Sequence, residues 1–503
     1  MRLRKAKSIP AETLIAAAAR GELDESLARQ LYRYGPEAVI LALLAAAKQI
    51  AKQDARIAEQ NARITELQSR LQSQAVTPST PSAMVPVYTK PNAPSRRKRP
   101  GARKGHPGTR RGKPTRIDRR VEHRLKRCPH CHGPLQRCNR KRTRVIEDLP
   151  EHIEPVVTEH TVNRDYCPAC KKHVEPVVPE AMPGATLGHN LVGLTSWFHY
   201  GLGITIDQVV DILGYHLQTR LTPGGLIDAW RRLAVVLTPW YEQISRQARD
   251  AAVLHADETG WRVSGQTCWL WCFANHQVCY YMIDRCRGSP ALQKFFTEAF
   301  AGTLIHDFWA PYESVETDDR QYCLIHLLRE LEKVDQHNDS AEWQAFAKKL
   351  RRLIRDGIRL RKRPDFEPQR YESRIRLIDR RLTAIAQWRD SDGQPIYCDA
   401  DALRLAKRLR KHWDHLFTFL DKPEVPFENN FAERMIRPAV ILRKNSQSNR
   451  SEQGAGTQAI LMSIYRTLRM RGHDPTKTIA AALKTYLETR QLPPLPDPIT
   501  ANG

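Results

Sequence analysis

The chain has 503 residues, and at roughly 150 residues per domain that length accommodates about three domains and an ample buried core. Hydrophobic residues make up 41% and charged residues 27%, with 80 Lys and Arg against 55 Asp and Glu, a formal charge of +25; an excess of that size points to a polyanion, nucleic acid above all. Eleven cysteines include two Cys-x-x-Cys pairs, the usage of a metal-binding protein in a reducing cell and not of a secreted disulfide protein.

The opening segment MRLRKAKSIPAETLIAAAAR is basic, but Pro10 and Glu12 interrupt it before any signal-peptide core forms. The longest apolar run, Ala38 to Ala47, is far short of the ~20 residues that span a bilayer. A cytoplasmic protein is expected, without membrane contact and at the nucleoid when bound to DNA. Residues 1–75 read as helical. Leu43, Ile50, Ile57, Ile64 and Leu71 recur every seven residues with no Pro or Gly between 37 and 75, which marks one seam of a coiled coil. The second seam is poor in either register, so an amphipathic helix packed on its own chain is the alternative to the self-association expected here.

Residues 76–127 form a linker and a basic arm. VTPSTPSAMVPVYTKPNAPS is rich in Pro, Ser and Thr and lacks periodicity, so it is expected to be extended or disordered. From Arg96 to Arg127 fifteen Lys and Arg stand against Asp118 and Glu122. Gly and Pro leave this arm unable to bury a core, and its charges stay free to meet phosphates without choosing sequence. The expected DNA contacts are Arg96, Arg97, Lys98, Arg99, Arg103, Lys104, Arg110, Arg111 and Lys113.

Residues 128–180 carry Cys128-Pro-His-Cys131 and Cys167-Pro-Ala-Cys170, separated by 35 residues. Four thiolates in two such turns satisfy one tetrahedral structural zinc. The alternating stretches around TRVIEDL and EPVVTEHTV predict short strands between them, and hence a zinc ribbon that braces the arm on DNA. Cys138, His130, His132 and His173 lie nearby as substitute ligands. Residues 185–250 show apolar spacings of three and four and are expected to be helical, either a helix-turn-helix or a plain bundle.

From residue 251 the pattern changes. AAVLHADETGWRV, TCWLWCFAN and QVCYYMID predict three strands, SPALQKFFTEAF a helix, GTLIHDF a strand, and RQYCLIHL a strand running into the helix LLRELEKV. A meander followed by alternating helix and strand is the layout of a ribonuclease-H-like fold. Charged helical text from about 330 to 420 reads as an insertion into this 251–440 core, and 441–503 as a C-terminal helical segment. The fold class expected overall is multidomain α+β: coiled-coil helix, zinc ribbon, helical segment, and a ribonuclease-H-like α/β core with a helical insertion. FENNFAERMIRP announces the last core helix, with Asn429 or Asn430 as its cap, Phe431, Met435 and Ile436 toward the core, Glu433 and Arg437 on the other side, and Pro438 stopping or bending it.

Asp257 and Asp307 each end an apolar strand, where bare charge is costly unless a cation or partner meets it. On an extended strand Asp257 and Glu258 face opposite sides, so one of them joins a given cluster. With Glu433, the two aspartates make the set that two bridged divalent cations need in phosphodiester chemistry; on pattern alone, solvated surface carboxylates are the alternative.

HADETGW, IHDFWAPY, CLIHLLRELE, NNFAERMIRP and RKNSQSNRSEQGA resemble the successive blocks of the insertion sequence 66 family of bacterial transposases. The upstream zipper-like helix, the patch GARKGHPG and the Cys-x-x-Cys segment match that family's layout, and RTLRMRGHDPTKTIAAAL resembles its C-terminal segment. The resemblance covers nearly the whole chain. It implies a DDE-type recombinase with Asp257, Asp307 and Glu433 on the three catalytic positions, holding two magnesium or manganese ions about 3.5–4 Å apart. Water would hydrolyse the phosphodiester at the element's end, and the freed 3′-hydroxyl would attack target DNA in line. Element-end and target duplexes, a homo-oligomer and accessory transposition proteins are the partners this implies. The block that commonly reads Asp-Asn-Asn is here Glu428-Asn429-Asn430, and Asn445-Ser446-Gln447 stands where many members are more hydrophobic. Cys323-x-x-His326 resembles a motif of inserted DDE transposases; with Arg437 it is a candidate for ordering the DNA end, against a buried Cys and a helix-start His. A zinc-ribbon regulator without catalysis and a structure-selective nuclease on the same fold are the other functions such a chain could have.

Overall fold

The structure, a computed structural model, describes residues 9–73, 116–136, 142–150 and 153–499, with side chains of 64–73 left aside. The nine expected arm contacts from Arg96 to Lys113, Cys138, and the side chains of Ile64 and Leu71 lie outside the described residues. No helix among the described residues is long and apolar enough to cross a membrane. The chain divides into two units, 1–80 and 81–503.

The first unit holds α1 (Ala11–Arg20), α2 (Glu25–Tyr32) and α3 (Pro36–Ser73). Gly21 ends α1 in the left-handed region at φ 75°, where a side chain would be strained. The Asp24 carboxylate caps α2 by accepting from Leu27 N at 2.8 Å. Leu14, Leu31, Ala38 and Ala42 close a small core. Beyond it α3 continues unbroken, about 57 Å in all, with Leu43, Ile50 and Ile57 exposed.

The second unit begins with an antiparallel hairpin of β1 (Asp165–Cys167) and β2 (Lys172–Val174). The strands expected around TRVIEDL and EPVVTEHTV are absent among the described residues. Alternation yields a strand only where an edge and an apolar partner receive it, and Ile146, Leu149, Val156 and Val157 find neither, all being exposed. Helices follow: α4 (His189–Ser196), which runs into a π turn at Trp197–Gly201, α5 (Ile206–His216) with a Thr205–Gln208 capping box, and the long α6 (Pro223–Arg249).

The central sheet is mixed. β3 (Val253–Val263), β4 (Gln266–Ala274) and β5 (Cys279–Asp284) form an antiparallel meander; then come α7 (Ser289–Phe295), β6 (Phe300–His306) and β7 (Thr317–Tyr322), in the order β5-β4-β3-β6-β7. β6 runs parallel to both β3 and β7. Ser264 and Gly265, both at positive φ, close the two-residue β3–β4 turn as its strand twist requires. Asn275 closes the next turn by accepting from Gln277 N and Val278 N.

Three sequence expectations need correction here. The helix expected through Phe300 stops at Phe295, because Phe296 turns inward to pack edge-on against Phe273 and Phe295. β6 and β7 are joined by a 3-10 turn, Ala310–Ser314, where the alternation of helix and strand expected after the meander would put a helix. The text CLIHL is helix and not strand: β7 ends at Tyr322 opposite His306, Cys323 sits at the cap position, and α8 (Leu324–Val334) starts at once.

Next come α9 (Ala341–Arg361), α10 (Glu372–Ala386), α11 (Ala400–Lys411) and the short α12 (Thr418–Asp421). They build a core of their own around Trp343, Leu350, Leu382, Leu405 and Phe419, which reaches the sheet at Ile305 and Tyr322. The last three helices are α13 (Asn430–Ser446), α14 (Glu452–Met470) and α15 (Pro475–Thr489). Ile436 is buried in the main core, with Phe431 and Met435 against it. Pro438 lies inside α13 without ending it. The residues after α13 rejoin β3: Asn449 bridges to Val263, and its side chain accepts from Trp261 Nε1 at 2.8 Å.

Candidate active site

The parallel register of β3 and β6 pairs His255 with Ile305. Two residues farther along each strand stand Asp257 and Asp307, so the side chains share one row and one face of the sheet. Asp257 is seated within β3, and its Oδ1 accepts from Glu258 N at 3.0 Å. Asp307 follows the last residue of β6, and its Oδ1 accepts from Trp309 N at 2.8 Å. Burial pushes the Asp257 carboxyl well above the usual range, and the charges of Glu258, Asp307 and Glu433 push it the same way. Asp307 is raised to about 7, first by burial and then by the Glu258 charge, with the Trp309 amide and Arg287 opposing.

Glu433 lies in the first turn of α13, the helix that packs on β3 and β4. Its Oε1 is 3.5 Å from His326 Nε2 and 3.3 Å from Arg329 NH1, both on α8. Arg437, one turn later, is exposed. Among the described residues no three His, Cys, Asp or Glu side chains stand close enough together to form a metal cluster. The two aspartates are therefore brought together, while Glu433 is turned toward α8.

Asn429 does a different job from the cap expected of it. Its side chain makes no capping bond. Instead Oδ1 lies 3.0 Å from His255 Nδ1, and Nδ2 donates to the Ala256 carbonyl at 2.8 Å. Burial lowers His255 to about 4, so the imidazole is neutral and its Nδ1–H donates. The backbone N–H of Asn429 donates to Cys323 Sγ at 3.1 Å, and Leu324 N donates to Phe427 O at 3.0 Å. Burial pushes the Cys323 thiol up to about 11, which keeps it a neutral acceptor. Cys323 and His326 thus separate: the first locks Asn429, and the second faces Glu433. Asn429 is 1% exposed and ties the start of α13 to the residue just before Asp257. Sequence reasoning passed over it because Asn before a helix is ordinarily a cap.

Glu258 points to the opposite side of β3 from Asp257 and is buried in a second cluster. Arg287 donates to Oε1 through Nε at 3.1 Å and NH2 at 2.8 Å, and the Tyr312 hydroxyl donates to Oε2 at 2.6 Å. The Arg287 guanidinium stacks between the rings of Trp269 and Trp309, 4.4 and 4.1 Å from their centroids. Since Tyr312 and Trp309 follow Asp307, this cluster fixes the turn after one aspartate to the strand bearing the other. Neither Arg287 nor Tyr312 was singled out by the sequence, because Trp269, Trp309 and Glu258 reach Arg287 only across the fold and nothing local marks it.

Of the four cysteines, each pair forms a local knuckle. His132 N donates to Cys128 O at 2.9 Å, and Cys170 N donates to Cys167 Sγ at 3.4 Å. Backbone amides hold the Cys128 and Cys167 thiols below their ordinary value, those of Cys131 and Cys170 most strongly. The structure does not draw three or more of the four into one cluster.

Comparison with known proteins bears on this geometry. The family model described as "Transposase IS66 family" matches residues 184–457, which takes in the sheet, the insertion and α13. An uncharacterized protein of Sinorhizobium fredii, y4jD, is 23% identical over 413 residues, covering 73% of this chain and 76% of its own length. A second from that organism, y4hP, is 21% identical over 395 residues, covering 71% and 70%. A third, y4qI, is 36% identical over 84 residues, 17% of this chain and 15% of its own. The mixed five-stranded sheet with its helices is consistent with a DDE transposase core. Spanning more than half of the sequence, the match shows that the chain belongs to the IS66 family of transposases.

Proposed function

We propose that the protein cleaves the 3′ ends of its insertion element and transfers them to target DNA, with Asp257, Asp307 and Glu433 as its catalytic carboxylates. The observation that carries this reading is the shared row of Asp257 and Asp307, both held toward the protonated form by burial and by neighbouring charge. Carboxylates so placed are costly until a cation meets them. An all-oxygen donor set suits hard divalent ions, magnesium or manganese, and these three residues would hold two of them. Such ions, when bound, supply Lewis-acid activation of the attacking oxygen and neutralise charge on the leaving one.

The chain's own residues have three tasks. Asn429, His255 and Cys323 set where Glu433 stands relative to Asp257. His326, whose imidazole burial holds toward the neutral form, and Arg329 hold the Glu433 carboxylate from the α8 side, and Arg329 together with the exposed Arg437 offers positive charge to a DNA end. The Glu258–Arg287–Tyr312 cluster keeps the loop carrying Asp307 in place.

The remaining parts fit the same reading. The lowered thiols of Cys128 and Cys167 favour one structural zinc shared with Cys131 and Cys170. The exposed seam on α3 favours self-association, which brings two element ends together. The arm from Arg96 would grip phosphates of either duplex.

Purified protein with magnesium or manganese and duplexes carrying the element's ends tests the proposal, with Asp307→Asn run beside it. End-specific nicks and joined products from the wild type alone are expected. Cutting without joining would make it a structure-selective nuclease, and binding with neither product a regulator.

A further inference from the structure

The helical insertion carries a charge pattern that the catalytic reading leaves unused. Along α9 the residues Trp343, Phe346, Ala347, Leu350, Leu353, Ile354, Gly357 and Leu360 are buried. At three- and four-residue spacing on the opposite face stand Lys348, Arg352, Arg355 and Arg359, all exposed. Several other arginines of this module are engaged. Arg351 pairs with Asp335 and Arg381 with Asp356; Arg404 and Arg408 share Glu330. Arg361 donates to the Pro423 carbonyl. Lys348, Arg352 and Arg355 have no ion-pair partner among the described residues, and Arg359 has only Asp356 at 3.9 Å with its side chain 78% exposed.

We propose that this face of α9 is a second DNA-binding surface, which grips the phosphate backbone of a duplex independently of the N-terminal arm. The inference rests on the transposase reading and extends it to the insertion. From Lys348 to Arg359 the stripe is about 17 Å long, the rise of about five base pairs of duplex. Four like charges in one row repel one another and gain nothing from the fold; phosphates on a continuous strand match both their sign and their linear spacing. The stripe is also rigidly mounted, as a backbone reader must be. Asp335, next after α8, accepts from Trp343 Nε1 at 3.0 Å. Glu342 caps the turn before α11 through Cys398 N and Asp399 N. A Cβ on Gly357 would come within 2.8 Å of the Phe417 ring, so α9 and the Phe417 segment are in close contact. Since α8 also presents His326 and Arg329 to Glu433, the stripe is fixed in the same frame as the carboxylates.

The test is a salt titration of full-length protein binding a fluorescein-labelled, mixed-sequence duplex of about 20 base pairs, read by anisotropy from about 50 to 200 mM salt. The variant K348Q/R352Q/R355Q/R359Q changes only exposed side chains, and its circular dichroism and melting should match the wild type. If all four charges meet phosphates, the slope of log K against log salt should flatten by about 3.6. The same flattening should appear when the stripe is neutralised on top of Arg96→Gln, Arg97→Gln, Lys98→Gln and Arg99→Gln. A control, K48Q/K52Q/R56Q on α3, removes charge elsewhere and should change the slope by less than about 1. An unchanged slope in the stripe variant overturns the inference and leaves the stripe to an acidic protein partner. An equal per-charge effect in the α3 control also overturns it, as a whole-molecule charge effect. Wild-type protein that binds the duplex with no salt dependence would instead sink the transposase reading beneath it.

Discussion

Replacing Asp307 with Asn should stabilise the protein while removing its proposed chemistry, because the ionised carboxylate is costly where the fold puts it. The folded value of about 7 stands against an ordinary 3.8, and about three units at 1.36 kcal/mol each make up to about 4 kcal/mol at pH 8. Asp307 is only partly buried by surface area, and Asn also gives up the charge in the bond from Trp309 N, worth about 1 kcal/mol. A net gain of about 1–3 kcal/mol remains. The folded carboxyl binds its proton more tightly than the unfolded one, so the wild type loses stability as pH rises from about 4 to about 7 and is level above that. Thermal melts in chelator should therefore show Asp307→Asn above the wild type by about 1–3 °C at pH 8, with the gap shrinking by pH 5. Added manganese should close the gap from the other side, since binding to the native state at a hundredfold over Kd gives the wild type about 2.7 kcal/mol. A variant no more stable than the wild type at pH 8, or a gap equal at pH 5 and pH 8, would refute the argument.

Asn429→Ala should lower stability by about 2–4 kcal/mol, because it strands the Ala256 carbonyl and the His255 imidazole in a buried setting; urea unfolding reads this, and joining activity should fall more than duplex binding. Glutamate at Ile50 and Ile57 together should dissociate the protein if α3 is a self-association seam, seen as a drop in mass by light scattering, with unchanged mass counting against that role. Metal analysis of protein purified without chelator should find one zinc per chain, lost in Cys128→Ser; zinc retained in that variant would mean another ligand set.

What could be read from the sequence, and what could not, follows the range of the interactions. β3, β4 and β5 were legible because two-residue periodicity and turn residues act within a few positions. Asp257, Asp307 and Glu433 were singled out by expected places at strand ends and on a helix face, although Asp257 lies inside β3, which continues to Val263. The length of α7 was misread because Phe296 leaves the helix to reach Phe273, more than twenty residues away in sequence. The β7–α8 boundary was misread because CLIHL is apolar at spacings that fit strand or helix, and only the end of the ladder at Tyr322 decides between them. The text around TRVIEDL and EPVVTEHTV failed in the opposite sense: local alternation was present and the partner was not.

The same distinction explains why the site residues missed from the sequence are cross-links. The proposed carboxylates come from β3, the end of β6 and α13, and nothing local fixes their separation. A row shared across parallel strands positions Asp257 against Asp307, since backbone hydrogen bonds set the register. Glu433 has no such ladder, and the start of its helix must be held by side chains. Asn429 does so through three bonds that reach residues 173, 174 and 106 positions away. A bond of that range leaves no periodicity in the chain. It follows that substitutions at Asn429 and His255 should be non-additive in stability, because either one removes the same side-chain bond: a double variant Asn429→Ala with His255→Ala should cost less than the sum of the two single ones, whereas strict additivity would mean that the two side chains do not act as one clamp.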